Sequence, residues 1–206
     1  PAVLAGLRSP DGTRQPRVVY VMTDGGALPL AYSRLVAALS EAGWLAGTVT
    51  AGQAWGGDIE AVSIHNALLA ARHVLHADTA IVIQGPGNLG TETPWGFSCV
   101  ACGDAVNAIA TLGGRPVAGR RVSQADARPR HLGISHHSMT AYGRVALAGA
   151  DVVVPLLEGV LGAQVRREAE VLCEPRPGAA QHRLVEVPVD GLMELLRAAE
   201  AETGVK

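Results

Sequence analysis

Residues 18–26 read VVYVMTDGG, an apolar run rich in valine that ends in an aspartate and two glycines. A run of this length predicts a buried strand that leaves its sheet in a tight loop. Comparable runs predict further strands at residues 47–50, 79–84, 116–122, 151–155 and, as a candidate sixth, 184–187. We expect one sheet to include residues 18–22, 79–84, 116–122 and 151–155.

Helical stretches separate these predicted strands. Apolar residues recur at spacings of three and four over residues 33–42, 58–75, 97–112 and 138–148. Residues 163–172 and 191–201 also suit helices. The alternation predicts an α/β fold, a three-layer α/β/α arrangement around a doubly wound, mainly parallel, Rossmann-like sheet. The length predicts a single domain over residues 1–206. Because the first residue is Pro1 and not Met, we expect a fragment of a longer protein.

The composition excludes several classes of protein. Hydrophobic residues make up 48% and charged residues 17% of the chain, which is too apolar for a disordered protein. A net charge of −2 and few aromatic residues, three Trp, three Tyr and one Phe, argue against nucleic acid as a partner. No run reaches the roughly 18 apolar residues that cross a bilayer. Because three cysteines do not make a disulfide framework, we expect a cytoplasmic protein.

Three predicted loops are unusually long. Residues 51–57, 85–96 and 123–137 each follow a strand, whereas most such loops have about 2–6 residues. Loops after parallel strands emerge at one edge of a sheet, where ligands bind in open α/β folds. Neighbouring residues of a helix point in different directions, so we expect one of two adjacent histidines to face the site and the other to pack. We predict one pocket lined by Asp24, Asp58, Gly87, Arg128, His131 and one of His136 and His137.

The loop after the first strand combines an acid with glycine. Gly25 and Gly26 could turn backbone N–H groups toward an anion. Asp24 could serve catalysis, or hold a metal or a ribose hydroxyl. The alternative is a tight turn in which Asp24 binds its own backbone.

Residues 55–60, WGGDIE, enter the longest predicted helix. Asp58 suits the N-cap of that helix, and Glu60 in the first turn would favour the helix dipole. Gly57 and Asp58 are also candidate ligand-binding residues, and a ligand role stays open for Glu60.

Residues 85–90, GPGNLG, match the G-x-G-x-x-G pattern after a strand. A dinucleotide site should open a helix at once and have an acid about 20 residues later. Here residues 91–94 prolong the loop, and the next strand ends in Arg120 and Arg121, so we do not expect NAD(P). The loop instead predicts a backbone anion site. Its candidate ligands are Gly85, Gly87, Gly90 and Thr91.

Residues 123–138 read SQADARPRHLGISHHS and concentrate reactive side chains. Arginine forks suit carboxylate or phosphate, and histidine titrates near neutral pH. The alternative is structural: Ser135 or Ser138 caps the next helix and a histidine fills its first turn. The candidates are Arg128, Arg130 and Ser135 for ligand binding and His131, His136 and His137 for catalysis.

Cys99 and Cys102 have C-x-x-C spacing, which permits redox chemistry near a βαβ unit. Because the pair falls in the body of an apolar predicted helix, we expect two buried packing residues.

Four segments carry a resemblance to a known family: residues 21–36, 48–62, 83–98 and 121–147. In this order they resemble a bacterial family of unknown function, the domain-of-unknown-function 3866 proteins, over approximately residues 1–155. The resemblance implies a β-rich segment upstream and a short extension after the last helix, and it implies no reaction. Cys99 and Cys102 are not part of the pattern. The matching positions are Asp24, Gly25, Gly26, Gly57, Asp58, Glu60, Gly85, Gly87, Gly90, Thr91, Asp126, Arg128, Arg130, His131, Ser135, His136, His137 and Ser138.

The loop chemistry predicts an enzyme that acts on a small anionic metabolite, phosphorylated ones included, with a histidine as proton carrier. The alternatives are a non-catalytic ligand-binding or regulatory module and an interaction module; a homo-oligomer stays open. A divalent metal is the competing occupant of the site. Its mixed oxygen and nitrogen ligands, suited to Mn, Fe or Zn, would be Asp24, Asp58, Glu60 and His131.

Overall fold

A computed structural model describes residues 2–8, 13, 15–85, 87–91 and 93–204. The chain divides into two compact units, one formed by Pro1–Asn88 with Asp190–Lys206 and the other by Leu89–Val189. Both units mix helices and strands, which confirms the predicted α/β class. The single domain and the upstream segment stay predictions.

The described residues form nine strands and seven α-helices. The strands are β1 (Val18–Asp24), β2 (Gly47–Ala51), β3 (Ile59–Ala61), β4 (Thr79–Gly85), β5 (Val117–Ala118), β6 (Val122–Ser123), β7 (Gly133–Ile134), β8 (Asp151–Pro155) and β9 (Arg183–Val187). The helices are α1 (Ala2–Leu7), α2 (Arg34–Glu41), α3 (Ile64–His73), α4 (Ala101–Thr111), α5 (His136–Thr140), α6 (Gly159–Leu172) and α7 (Leu192–Thr203). None of these helices has the length and apolar character needed to cross a membrane.

The first unit contains a four-stranded parallel sheet in the order β3-β2-β1-β4. Successive residues of β1 pack in different clusters. Val19 and Val21 lie in a core cluster with Ala67 and Ala71 of α3, whereas Val18 packs with residues of α1, α2 and α7. This alternation follows from the opposite directions of neighbouring side chains in a strand, and it buries the predicted strand on both sides.

The predicted helix over residues 58–75 begins later than expected. It starts at Ile64, and the Oγ of Ser63 caps it by accepting the N–H of Asn66. Asp58 instead accepts hydrogen bonds from the backbone N–H and the hydroxyl of Thr48, at 2.8 and 2.9 Å. These bonds hold Asp58 beside β2, so the residues after it form β3 and the predicted N-cap is wrong.

The second unit contains a parallel sheet in the order β5-β8-β9 and an antiparallel pair, β6-β7. The predicted sheet membership is therefore wrong in part, since β1 and β4 share one sheet and β5 and β8 another. The predicted strand over residues 116–122 is split at Gly119, whose carbonyl accepts the Tyr142 hydroxyl at 3.0 Å. The residues on either side of this point pair with different strands, β5 with β8 and β6 with β7.

The helix predicted over residues 138–148 starts two residues early, at His136, and continues as a π-helical segment, Ala141–Val145. Ser135 is its N-cap, because its Oγ accepts the N–H of His137. Tyr142 of the π-helical segment belongs to the main core of this unit, together with Val152 and Leu172.

Candidate functional site

Three histidines of the second unit converge where α5 begins. His131 ends a short 3₁₀ turn, Pro129–His131, and His136 and His137 are the first residues of α5. The His136 and His137 ring centroids are 4.2 Å apart, and each lies 5.0 Å from the centroid of His131. One ring nitrogen from each residue lies within 4.8 Å of the others. The expectation that one of the two adjacent histidines faces the site while the other packs stays a prediction.

Ser135 organises this cluster. Its Oγ lies 2.8 Å from Nδ1 of His131, and the same oxygen accepts the N–H of His137. His131 is only 3% exposed. Because Nδ1 is engaged, Nε2 is the ring nitrogen that His131 can offer to a ligand. The Nε2 atom of His136 is buried and has no hydrogen-bond partner among the described residues.

Phe97 forms an apolar wall of the cluster. Its ring stacks on His137 at 4.2 Å between centroids, with 18° between the planes, and meets His136 edge-on at 6.1 Å. Phe97 is 5% exposed. The sequence pattern did not indicate this residue as part of the site, although it is the only phenylalanine in the chain and follows directly on the loop over residues 85–96.

The electrostatic surroundings keep the histidines neutral. Burial, followed by the neighbouring histidines and arginines, lowers the pKa of His137 to about 4. Burial is also the largest cause that lowers the pKa of His131 and of His136. At neutral pH the three rings are therefore uncharged imidazoles, the form that ligates metals.

The predicted arginine clamp is partly occupied. The guanidinium of Arg128 donates to both oxygens of Asp126, at 3.0 and 3.1 Å, and Arg121 donates to the same carboxylate at 2.9 Å. These hydrogen bonds hold the pKa of Asp126 far below its usual range. The positive charge of Arg130 contributes to the lowered pKa of His136, which indicates that Arg130 lies close to the cluster.

A cavity of about 470 Å³ reaches the cluster at His136. Its charged lining consists of Arg144, Glu174 and Arg176, and its other lining residues include Met139 and Thr140. Arg176 is fixed in place, because it donates to the carbonyls of Gly143 and Ala146. The cavity therefore combines one imidazole with a positive excess of fixed charge.

In the first unit, Asp24 forms the turn that was the alternative to a ligand role. Its Oδ1 accepts the N–H groups of Gly26 and Ala27 at 3.0 and 2.9 Å. A Cβ on Gly25 would lie 2.0 Å from the side chain of Gln84, so this glycine is required for packing. Asp24 pairs with Gly85 in the β1–β4 ladder, so the glycine loop after β1 and the glycine loop after β4 start side by side.

Asp58 and Glu60 also bind their own surroundings. Asp58 accepts from Thr48, and Oε1 of Glu60 accepts the N–H of Gly56 at 3.0 Å. Gly57 approaches β2 so closely that a Cβ would lie 2.8 Å from the backbone nitrogen of Thr50. Among the described residues, Asp24, Asp58 and Glu60 do not form a group of three potential metal ligands.

The loop over residues 85–96 has residues in both units, and its Pro86 and Glu92 lie outside the described residues. Gly87 belongs to the first unit, while Gly90 and Thr91 belong to the second. The N–H of Thr91 donates to the carbonyl of Gly96 at 2.6 Å. Three expectations stay predictions. They are the anion site over residues 85–91, the single pocket lined by several loops, and the metal site in which carboxylates join His131.

Comparison with known proteins identifies the family. The sequence model described as "Protein of unknown function (DUF3866)" matches residues 1–204. The chain belongs to this family. The match continues well past residue 155, where the resemblance of the four segments ends. No curated protein and no solved structure matches the chain.

Proposed function

We propose that this DUF3866 chain is an enzyme in which His131, His136 and His137 hold a divalent transition metal beside a small anionic substrate. The proposal rests on one observation, the convergence of a ring nitrogen from each histidine within 4.8 Å. Neutral imidazoles suit zinc and its transition-metal neighbours better than magnesium or calcium, which prefer oxygen ligands. Three protein ligands with a fourth position open are typical of catalytic zinc sites.

The surroundings of the histidines support a built metal site. Metal-bound histidines usually engage their second ring nitrogen in a hydrogen bond that fixes the ring. In this structure the Oγ of Ser135 forms such a hydrogen bond with Nδ1 of His131. Phe97 covers His137 and keeps water from that side. A metal held here would supply Lewis-acid chemistry to a bound water or to a substrate oxygen.

The charges near the site favour an anionic substrate. Arg144 and Arg176 line the cavity that reaches His136, against the single carboxylate of Glu174. Guanidinium groups bind carboxylate and phosphate oxygens in forked geometry. The substrate class is therefore a small carboxylate or phosphate ester, with Arg130 as a further candidate contact.

The proposal extends to the architecture of the first unit and to the compartment of the protein. The packing of β1 against α3 and against α2 supports a three-layer, Rossmann-like arrangement of the first unit. The strand order β3-β2-β1-β4 supports it as well, because β2 and β3 lie on one side of β1 and β4 lies on the other. The count of three cysteines, too few for a disulfide framework, supports a reducing, cytoplasmic compartment.

Metal analysis of variants tests the metal site. The purified protein, loaded with zinc or cobalt and desalted, is expected to retain about one ion per chain. Each of the variants His131→Ala, His136→Ala and His137→Ala is expected to lose this ion. His65→Ala is the matched control, because His65 is exposed on α3. Equal metal content in all four variants would overturn the proposal.

The cobalt form tests the substrate class and the reaction. Phosphate or a carboxylate that enters the open position is expected to change the visible spectrum of the bound cobalt. Turnover of a panel of phosphate and carboxylate esters would then support the enzyme. Spectral changes without turnover would favour the alternative, a non-catalytic ligand-binding module with the same metal centre.

A further inference from the structure

The indole ring of Trp95 lies beside the cavity that reaches His136. The preceding residue, Pro94, lines this cavity, and so does Arg144. The guanidinium carbon of Arg144 lies over the Trp95 ring, 5.8 Å from its centroid. All four residues belong to the second unit. An aromatic ring therefore stands next to one of the two arginines that the cavity offers to an anion.

The backbone around Trp95 is held by hydrogen bonds. The carbonyl of Trp95 accepts the N–H of Phe97 at 3.0 Å, and the carbonyl of Gly96 accepts the N–H of Thr91 at 2.6 Å. The ring of Phe97 stacks on His137, so the same short segment also contacts the histidine cluster. A ring on a segment that is already ordered loses little conformational freedom when a ligand binds to it.

Much of the indole surface is open. Trp95 is 54% exposed, and Val171, which lines the cavity, is 53% exposed. Exposed apolar surface beside a cavity is typical of ligand-binding grooves. A planar ring that stacks on Trp95 would remove this surface from water and gain the favourable geometry of an aromatic pair.

The two arginines of the cavity differ in what they offer to a ligand. Arg176 donates to the carbonyls of Gly143 and Ala146, which occupies part of its guanidinium. Arg144 is exposed, and within the described part of the chain its guanidinium makes no hydrogen bond or ion pair. Its N–H donors therefore stay available to phosphate or carboxylate oxygens. Because Arg144 lies over Trp95, one small ligand can reach both the ring and the charge.

We propose that the anionic substrate of this cavity carries a planar aromatic ring, an aryl group or a nucleobase, that stacks on Trp95 while Arg144 binds its phosphate or carboxylate. This rests on the proposed function, because it refines the substrate class of the same cavity. Trp95 is then the residue that selects aromatic substrates. The cavity volume of about 470 Å³ lies within the usual range for small-molecule sites.

Binding of matched ligand pairs tests the ring. Phenyl phosphate and cyclohexyl phosphate share the anionic group and have similar volumes, but only phenyl phosphate has a π system. Adenosine monophosphate and ribose 5-phosphate test a nucleobase in the same way. Equilibrium dialysis of the full chain, loaded with zinc and desalted, is expected to show about 2–10-fold tighter binding of the aromatic member in at least one pair. The pair with the preference distinguishes an aryl group from a nucleobase.

Tryptophan variants assign the preference to one residue. Trp95→Leu is expected to bind both members of each pair equally, with its affinity for cyclohexyl phosphate unchanged. Trp95→Phe is expected to keep the preference, because phenylalanine also offers a ring face. Trp55→Leu is the matched control, since Trp55 is 53% exposed and belongs to the first unit. It should keep the wild-type preference.

Each outcome bears on a stated proposal. Phosphate binding with no preference in either pair would overturn the aromatic substrate and leave the proposed function in place. A preference that persists in Trp95→Leu would also overturn the role of Trp95. No binding of any of the four phosphates would overturn the anionic substrate as well. An aromatic preference in a chain that retains no zinc would support the stacking and overturn the metal site. The wild-type comparison decides the ring chemistry even if a variant fails to fold.

Discussion

The Nδ1 atom of His131 lies 2.8 Å from the Oγ atom of Ser135, four residues later in the chain. The same oxygen accepts the backbone N–H of His137 and so caps α5. One hydroxyl thus orients the ring of one histidine and fixes the backbone of another. The geometry of the cluster therefore depends in part on this short polar side chain.

Ser135→Ala is expected to weaken both metal binding and folding. Loss of a hydrogen bond to a metal-bound histidine typically costs about 10–100-fold in affinity. Loss of an N-cap typically costs about 1 kcal/mol. Competition with a zinc indicator measures the first effect and urea unfolding the second.

Ser63→Ala provides the matched control, because Ser63 caps α3 through the same kind of bond. It should lose a similar free energy of unfolding, about 1 kcal/mol, with no change in zinc affinity. Equal zinc affinities of the two variants would show that the Ser135 hydroxyl does not support the histidine cluster.

Phe97→Ala is expected to destabilise the second unit. Truncation of a buried phenylalanine costs about 3–5 kcal/mol, and Phe97 is 5% exposed. Phe97→Leu keeps most of the apolar volume and loses the stacking on His137, so its loss should be nearer 1 kcal/mol. Urea unfolding of both variants distinguishes burial from stacking. A loss as large for leucine as for alanine would contradict this division.

The strands were the most predictable part of the fold. Short apolar runs predicted the bounds of β8 correctly and those of β1, β2, β4 and β9 to within two residues. Helix beginnings were less predictable, because a distant partner can decide them. Asp58 has the chemistry of an N-cap, but Thr48 binds it, and Ser63 takes the capping position.

The candidate site was predictable in content and not in arrangement. The sequence marked His131, His136 and His137, since histidines concentrated in one loop stand out. Their convergence depends on the left-handed backbone conformation of Gly133, with a φ of +63°, and on the cap at Ser135. Neither the backbone conformation of Gly133 nor the cap at Ser135 follows from the spacing of residues in the sequence alone. The glycine loops stay candidate anion sites, because the sequence does not reveal which N–H groups the chain itself occupies.

The Asp151 carboxylate makes stability depend on pH in the acid range. Hydrogen bonds from Arg183 and Arg115 lower its pKa to about 2, below the ordinary 3.8. The folded state therefore holds this group ionised, and its contribution is complete above pH 3.8 and is lost as pH falls through about 2.

Asp151→Asn should cost about 1 kcal/mol at neutral pH, because both arginines are mostly exposed and solvent screens the pairs. Urea unfolding from pH 7 downward should show the gap to wild type shrinking below about pH 4. Glu170→Gln, which breaks an exposed pair with Arg166, is the control with a smaller effect. A gap that widens in acid would contradict the sign.

Gly103 is expected to tolerate no side chain, because α4 packs against the π-helical segment at this point. A Cβ there would lie 2.3 Å from the carbonyl oxygen of Ala141 and 2.6 Å from Cβ of Val145. Backbone cannot move aside as a flexible side chain can, so Gly103→Ala should destabilise the protein by about 1–3 kcal/mol.

In helix α1, Gly6 has nothing within 4 Å of such a Cβ. Gly6→Ala should therefore stabilise by about 0.5–1 kcal/mol through helix propensity alone. Urea unfolding of the two variants measures the contrast, and a shift of the same sign in both would exclude close packing at Gly103.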